Sequence, residues 1–120
     1  MGDKNALGPH GEAFAWELLR KRGDKLVTRN FSCPQGELDI VSWHGATLVF
    51  TEVRARSSVA FGTPAETVTR SKQQKVIRAA QWFCAKTIKG QLPPCRFDMI
   101  WLLCKHGKVV ESGIIEAAFQ

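Results

Sequence analysis

Gly36-Glu37-Leu38-Asp39-Ile40-Val41, a turn, and Leu48-Val49-Phe50-Thr51-Glu52-Val53-Arg54 form the stretch that decides how the rest of the chain is read. Both halves are rich in β-branched and aromatic residues. His44-Gly45 between them suits a tight turn, because histidine tolerates positive φ and glycine favours it. The stretch reads as a β-hairpin that carries acids.

With a loop of two or four residues, Trp43 faces Ala46, Val41 faces Leu48, Asp39 faces Phe50 and Glu37 faces Glu52. Side chains alternate across a strand, so Glu37, Asp39, Glu52 and Arg54 share one face with Val41, Leu48 and Phe50. Asp39 and Glu52 then become diagonal neighbours, roughly 7–8 Å apart at Cα, close enough for both carboxylates to meet one ion. Acids crowded on a half-apolar face repel one another and lose hydration, so they take up protons or hold a cation. A hard divalent ion such as Mg²⁺ uses one or two protein carboxylates, with water and substrate phosphate completing its shell. The plain alternative is a solvated hairpin face.

Working outward, 120 residues are expected to form a single domain over residues 1–120, with 1–9 a loose lead-in. The 44% hydrophobic and 23% charged composition is that of a globular protein. The longest apolar run, Phe97 to Cys104, is broken by Asp98 and is too short to span a membrane, and the N-terminal residues have no apolar signal core. Cys33, Cys84, Cys95 and Cys104 show neither CxxC pairing nor zinc-ligand spacing, which fits reduced thiols in a cytoplasmic protein. A net charge of +6 favours a polyanionic partner, nucleic acid first, although it also serves solubility.

A helix is expected from His10 to Arg22, stopping at Gly23 with bases in its last turn. Glu12 shares its core-facing stripe with Ala15, Trp16 and Leu19, whereas Glu17 points away and can pair with Lys21. Lys25–Phe31 reads as a strand and Ser32–Gln35 as a turn before the acidic hairpin. Arg56–Pro64 reads as a loop leaving the hairpin beside the acids, where it can touch substrate.

A second helix starts near Thr69 or Ser71, where Ser71 and Gln74 fit a capping box, and continues to about Lys86. Its core stripe is Val76, Ile77, Ala80, Phe83 and Cys84, with Gln73 projecting onto the stripe one turn earlier. Arg70, Lys72, Lys75 and Arg78 cluster in its first turns near the positive end of the helix dipole, and with Arg56 they are the candidate phosphate contacts. A solvated helix face is the alternative. Phe97–Cys104 reads as a central strand, with Asp98 paired to Arg96 two residues away on the same face. Lys105-His106-Gly107 turns the chain into a last strand, Val109–Ile115.

The order helix, three strands, helix, two strands carries a helix glutamate, an aspartate on the second strand and Glu-x-basic on the third. This resembles the PD-(D/E)xK nucleases, and most closely the archaeal-type Holliday-junction resolvases. More specifically, the chain is similar to the YraN family of bacterial endonuclease-like proteins. Gly11-Glu12, Gly36-Glu37-Leu38-Asp39-Ile40, Val49-Phe50-Thr51-Glu52-Val53-Arg54, Thr69-Arg70-Ser71-Lys72-Gln73 and Arg96-Phe97-Asp98 carry the resemblance.

The resemblance implies a restriction-endonuclease-like α/β fold, a central mixed sheet flanked by helices in the order αβββαββ. It implies Mg²⁺ or Mn²⁺ held by Asp39 and Glu52, with the Val53 carbonyl and Glu12 completing the site and Gln73 bordering it. Arg54 stands where such nucleases usually have lysine; it can hold phosphate with its fork of donors but cannot shed a proton. The function implied is metal-dependent hydrolysis of phosphodiester bonds in DNA, branched or single-stranded substrates included, with a homodimer by analogy with resolvases. The rival is a catalytically inactive nucleic-acid-binding module of the same fold.

Overall fold

The computed structural model describes residues 9–57 and 68–120; the lead-in before Pro9 and most of the expected Arg56–Pro64 loop lie outside them. Among the described residues, two helices and five strands follow in the order α1 (Pro9–Arg22), β1 (Lys25–Cys33), β2 (Gly36–His44), β3 (Thr47–Arg56), α2 (Arg70–Thr87), β4 (Cys95–Lys105) and β5 (Lys108–Phe119). The strands make one sheet in chain order, antiparallel except for the parallel pair β3–β4. The expected mixed α/β architecture in the order αβββαββ is what the chain adopts. A parallel pair cannot be closed by a tight turn, and α2 supplies the crossover.

The two helices cover opposite faces of the sheet. On one face, Val76, Ala79, Ala80, Phe83 and Cys84 of α2 pack on Val41, Leu48, Phe50 and Met99. On the other, Ala15 and Leu19 of α1 pack on Ile40, Val53, Ala55, Ile100 and Leu102. Burial on both sides explains why β3 and β4 read as nearly continuous apolar runs. Across β3, β4 and β5 on the α2 side, Phe50, Phe97 and Phe119 stack in turn with centroids 5.5 and 5.2 Å apart. Among the described residues no helix is long and apolar enough to cross a membrane.

The helix ends follow sequence chemistry with two corrections. At the end of α1 the Gly23 N–H bonds the Arg20 carbonyl and the Asp24 N–H bonds the Leu19 carbonyl, the paired bonds of a Schellman cap. Glu17, expected to pair with Lys21, instead takes Arg20 at 2.8 Å. At the start of α2 the cap is Thr69, whose hydroxyl accepts the Lys72 N–H at 3.2 Å, so Ser71 lies two residues too late for the expected capping box.

The hairpin register also differs from expectation. The loop is Gly45-Ala46, so His44 pairs with Thr47, Trp43 with Leu48 and Val41 with Phe50. Gly45 has φ 61° and takes the first central position, which only a residue free of Cβ strain fills cheaply. The slip from the expected register is two residues, and because strand alternation has period 2 it leaves Val41, Leu48 and Phe50 together on one face.

Candidate functional site

The β2–β3 ladder ends at Ile40–Thr51, one residue short of Asp39. There the Asp39 carboxylate takes the place of a strand partner and accepts the Val53 N–H at 2.9 Å. An extended residue directs its N–H and C=O to the same side, so the Val53 carbonyl faces the gap that Asp39 fills. Asp39 therefore lies against the Glu52–Val53 peptide, and continuing the register would set Asp39 opposite Glu52 rather than diagonal to it.

The local chain path is distorted to achieve this. Leu38 and Ile40 would share a face in a regular strand, yet Leu38 belongs to the α2-side core and Ile40 to the α1-side core. Across the β1–β2 ladder at this level, Asn30 sits at φ 56°, between the pairs Arg29–Ile40 and Phe31–Leu38. A left-handed residue turns the alternation over, and asparagine tolerates that conformation better than most. Glu37 is exposed and pairs with Ser32, so it takes no part in the acid group.

Asp39 and Glu52 are each 1% exposed. Burying two carboxylates is costly unless positive charge and hydrogen bonds compensate. Among the described residues, Lys72 Nζ reaches the Glu52 Oε2 atom at 3.5 Å from the first turn of α2, and the Arg54 guanidinium at 4.0 Å from the same strand. Expected among the phosphate contacts, Lys72 thus turns inward. Helical phase does not single it out, since it stands one turn before buried Val76 as Lys75 does before buried Ala79. Arg70, Lys75 and Arg78 are exposed beside it, and Arg56 is half-buried at the end of β3. Gln73 is half-buried and its Nε2 donates to the Val68 carbonyl at 3.0 Å, closing the first turn of α2.

Glu12 is half-buried in the first turn of α1. The far end of α1 is fixed by Asp24, which accepts the Ser42 hydroxyl at 2.7 Å, and by Arg22, which reaches Asp98 at 3.0 Å. Glu12 lies roughly 15 Å back along the helix axis at 1.5 Å per residue, and among the described residues it does not come together with Asp39 and Glu52 in one metal-holding group. The first turn of α2 is the helix end seen to reach the acids, through Lys72 on Glu52.

Asp98 belongs to a different group. It is fully buried and accepts Arg96 at 2.8 and 2.9 Å, Arg22 at 3.0 Å and the Ala117 N–H at 3.0 Å. Burial pushes its carboxyl up, but the Arg96 bonds, the Ala117 N–H and Arg22 outweigh that and hold it below the ordinary range. The pairing with Arg96 is as expected; the partnership with Arg22 and Ala117 is hidden in the sequence, since those residues are distant in the chain. Ala117 sits at φ 52°, where the β4–β5 register shifts around Asp98.

The donor set at Asp39, Glu52 and the Val53 carbonyl is all oxygen, which fits a hard divalent cation and not a soft one. Two carboxylates are also the number Mg²⁺ typically takes from protein.

The family model for uncharacterised protein family UPF0102 matches residues 11–102, which spans the acid site and both helices. A UPF0102 protein of Nocardia farcinica is 42% identical over 119 residues, covering 99% of this chain and 93% of the relative. A UPF0102 protein of Saccharophagus degradans is 43% identical over 113 residues, covering 94% and 96%. Another, of Syntrophotalea carbinolica, is 44% identical over 115 residues, covering 96% and 92%. The chain therefore belongs to the UPF0102 family.

Proposed function

We propose that this protein is a metal-dependent nuclease of the PD-(D/E)xK type, with the restriction-endonuclease-like fold of the YraN group, acting on DNA. The observation that carries the reading is the Asp39 carboxylate on the Val53 N–H, beside buried Glu52, where the β2–β3 ladder stops. A strand pair interrupted to bury an acid loses ladder bonds for no structural gain, whereas an acid pair open to a cation has a use.

In this reading Asp39 and Glu52 hold Mg²⁺ or Mn²⁺, with the Val53 carbonyl as a neutral ligand. A cation held by these residues would supply Lewis-acid chemistry to the scissile phosphate and a more acidic water. Glu12 orients that water from the α1 side. Arg54 holds a phosphate oxygen pair with its planar fork and remains protonated throughout, so it stabilises charge and takes no proton. Gln73 fixes the start of α2 at the border of the site. The exposed bases Arg70, Lys75 and Arg78 track the nucleic-acid backbone, with Arg56 at the end of β3.

The test compares wild type with Glu52→Gln, Arg54→Lys and Arg54→Ala on branched, single-stranded and duplex DNA with Mg²⁺ or Mn²⁺. Glu52→Gln is expected to be inactive, Arg54→Lys to retain cleavage, and Arg54→Ala to lose roughly 10²–10³-fold, the usual cost of one charge-stabilising donor. Wild type no more active than Glu52→Gln with either metal would refute the nuclease. If it still bound DNA tightly, the inactive binding module would replace it.

A further inference from the structure

Lys72 does more at this site than a surface phosphate contact would. Its Nζ lies 3.5 Å from Glu52 Oε2, while its side chain is 36% exposed and the Glu52 side chain is 1% exposed. Its backbone is fixed, because its N–H is bonded to the Thr69 cap. The head group, by contrast, ends a flexible four-carbon stem that is partly in water and can move at small cost. Arg54, the other cation on the same oxygen, is 12% exposed and held on the central strand. Of the two, lysine is the one free to leave.

A divalent cation on Glu52 changes this pairing. An ammonium within 3.5 Å of a carboxylate oxygen and a dication bonded to that oxygen repel strongly, since both charges are screened little in a buried site. Metal and Lys72 therefore compete for Glu52. Once displaced, Lys72 swings outward among Arg70, Lys75 and Arg78, which are exposed on the same helix end. There its partner is a backbone phosphate.

We propose that Lys72 is a displaceable counter-ion, holding Glu52 when the metal is absent and passing to a nucleic-acid phosphate when a divalent cation takes the carboxylate. The proposal rests on the metal reading of the site above. It makes metal and nucleic acid reciprocal: each strengthens the other's binding by the same factor, because each removes the partner the other must displace. A protein without nucleic acid then holds its metal loosely, and loads it when substrate arrives.

The experiment is calorimetric titration of Ca²⁺ and Mg²⁺ into the full chain, for wild type, Lys72→Met and Lys72→Gln. It is paired with DNA binding by fluorescence anisotropy with and without Ca²⁺, a hard cation that takes the same oxygen ligands. Both variants lie on a half-exposed helix position and are checked for folding by circular dichroism. Without DNA the variants should bind metal about 5–20-fold more tightly than wild type, the scale of a typical coupling between sites. In wild type, Ca²⁺ should raise DNA affinity by a similar factor; in the variants that factor should shrink to what direct contact between the cation and phosphate supplies. Unchanged or weaker metal binding in the variants, or an undiminished Ca²⁺ effect on DNA, overturns the counter-ion while leaving the nuclease reading standing. Absence of metal binding by wild type overturns both.

Discussion

Replacing Asp98 by asparagine removes one charge from a buried acid that accepts four hydrogen bonds. Asp98 accepts two bonds from Arg96, one from Arg22 and one from the Ala117 N–H, and has no exposed surface. Asparagine keeps one accepting oxygen and turns an NH₂ group toward a guanidinium. At best about two of the bonds survive, and two charge-assisted ones are lost at roughly 1.5–3 kcal/mol each. Breaking a buried pair from one side costs about 3–5 kcal/mol, so the variant should lose about 4 kcal/mol of unfolding free energy.

Urea denaturation followed by tryptophan fluorescence measures this, using the four tryptophans of the chain. The pH dependence is a sharper criterion. Burial raises the Asp98 carboxyl, but Arg96, Ala117 and Arg22 together leave it lowered in the folded protein. A lowered folded pKa gives stability that is fully present above the unfolded value of about 3.9 and is lost as the pH falls through the folded one. The gap between wild type and Asp98→Asn should be constant from about pH 7 to 5 and narrow below about pH 4. A variant within about 1 kcal/mol of wild type, or a gap that stays level down to pH 3, refutes the reasoning.

Two further expectations concern packing and thiol chemistry. A Cβ on Gly113 would lie 2.5 Å from Trp101 Nε1 and 2.7 Å from its Cε2, so Gly113→Ala must push the indole off β5 and should cost about 1–3 kcal/mol; a stability equal to wild type would contradict this contact. Burial, aided by the neighbouring Cys95, pushes the Cys84 thiol up to about 11, whereas Cys95 itself is exposed. Iodoacetamide at pH 8, read by mass spectrometry, should therefore label Cys95 well before Cys84, since the thiolate is the nucleophile. Equal rates at the two would refute the assignment.

Much of the architecture was legible because local chemistry and tertiary packing agree. The Gly23 stop, the helix stripe of α2 and the acidic hairpin all follow from period and turn residues. The hairpin register is not legible, because Gly45 fits the second position of a His44-Gly45 turn as well as the first position of the Gly45-Ala46 turn that forms. The slip of two residues leaves Val41, Leu48 and Phe50 together on one face. For Asp98, the neighbour Arg96 was readable at i+2, but Arg22 arrives only when α1 crosses the start of β4. Lys72 was grouped with Lys75 and Arg78 by nearness in sequence. Helical phase alone does not separate it, since Lys72 precedes buried Val76 by one turn and Lys75 precedes buried Ala79 in the same way.

The single parallel seam, β3 against β4, has a consequence for how the chain assembles. The β1–β2–β3 meander and the β4–β5 hairpin each close through short turns and lose little chain entropy in doing so. Joining them requires Leu48 to meet Cys95 across the whole of α2, a far longer closure. Folding is expected to be limited by this docking of two preformed halves, and Glu52, paired in the seam with Met99, lies on it. The carboxylates are thus sealed in late: until the halves meet, they stay hydrated, and the partly folded chain bears no buried charge.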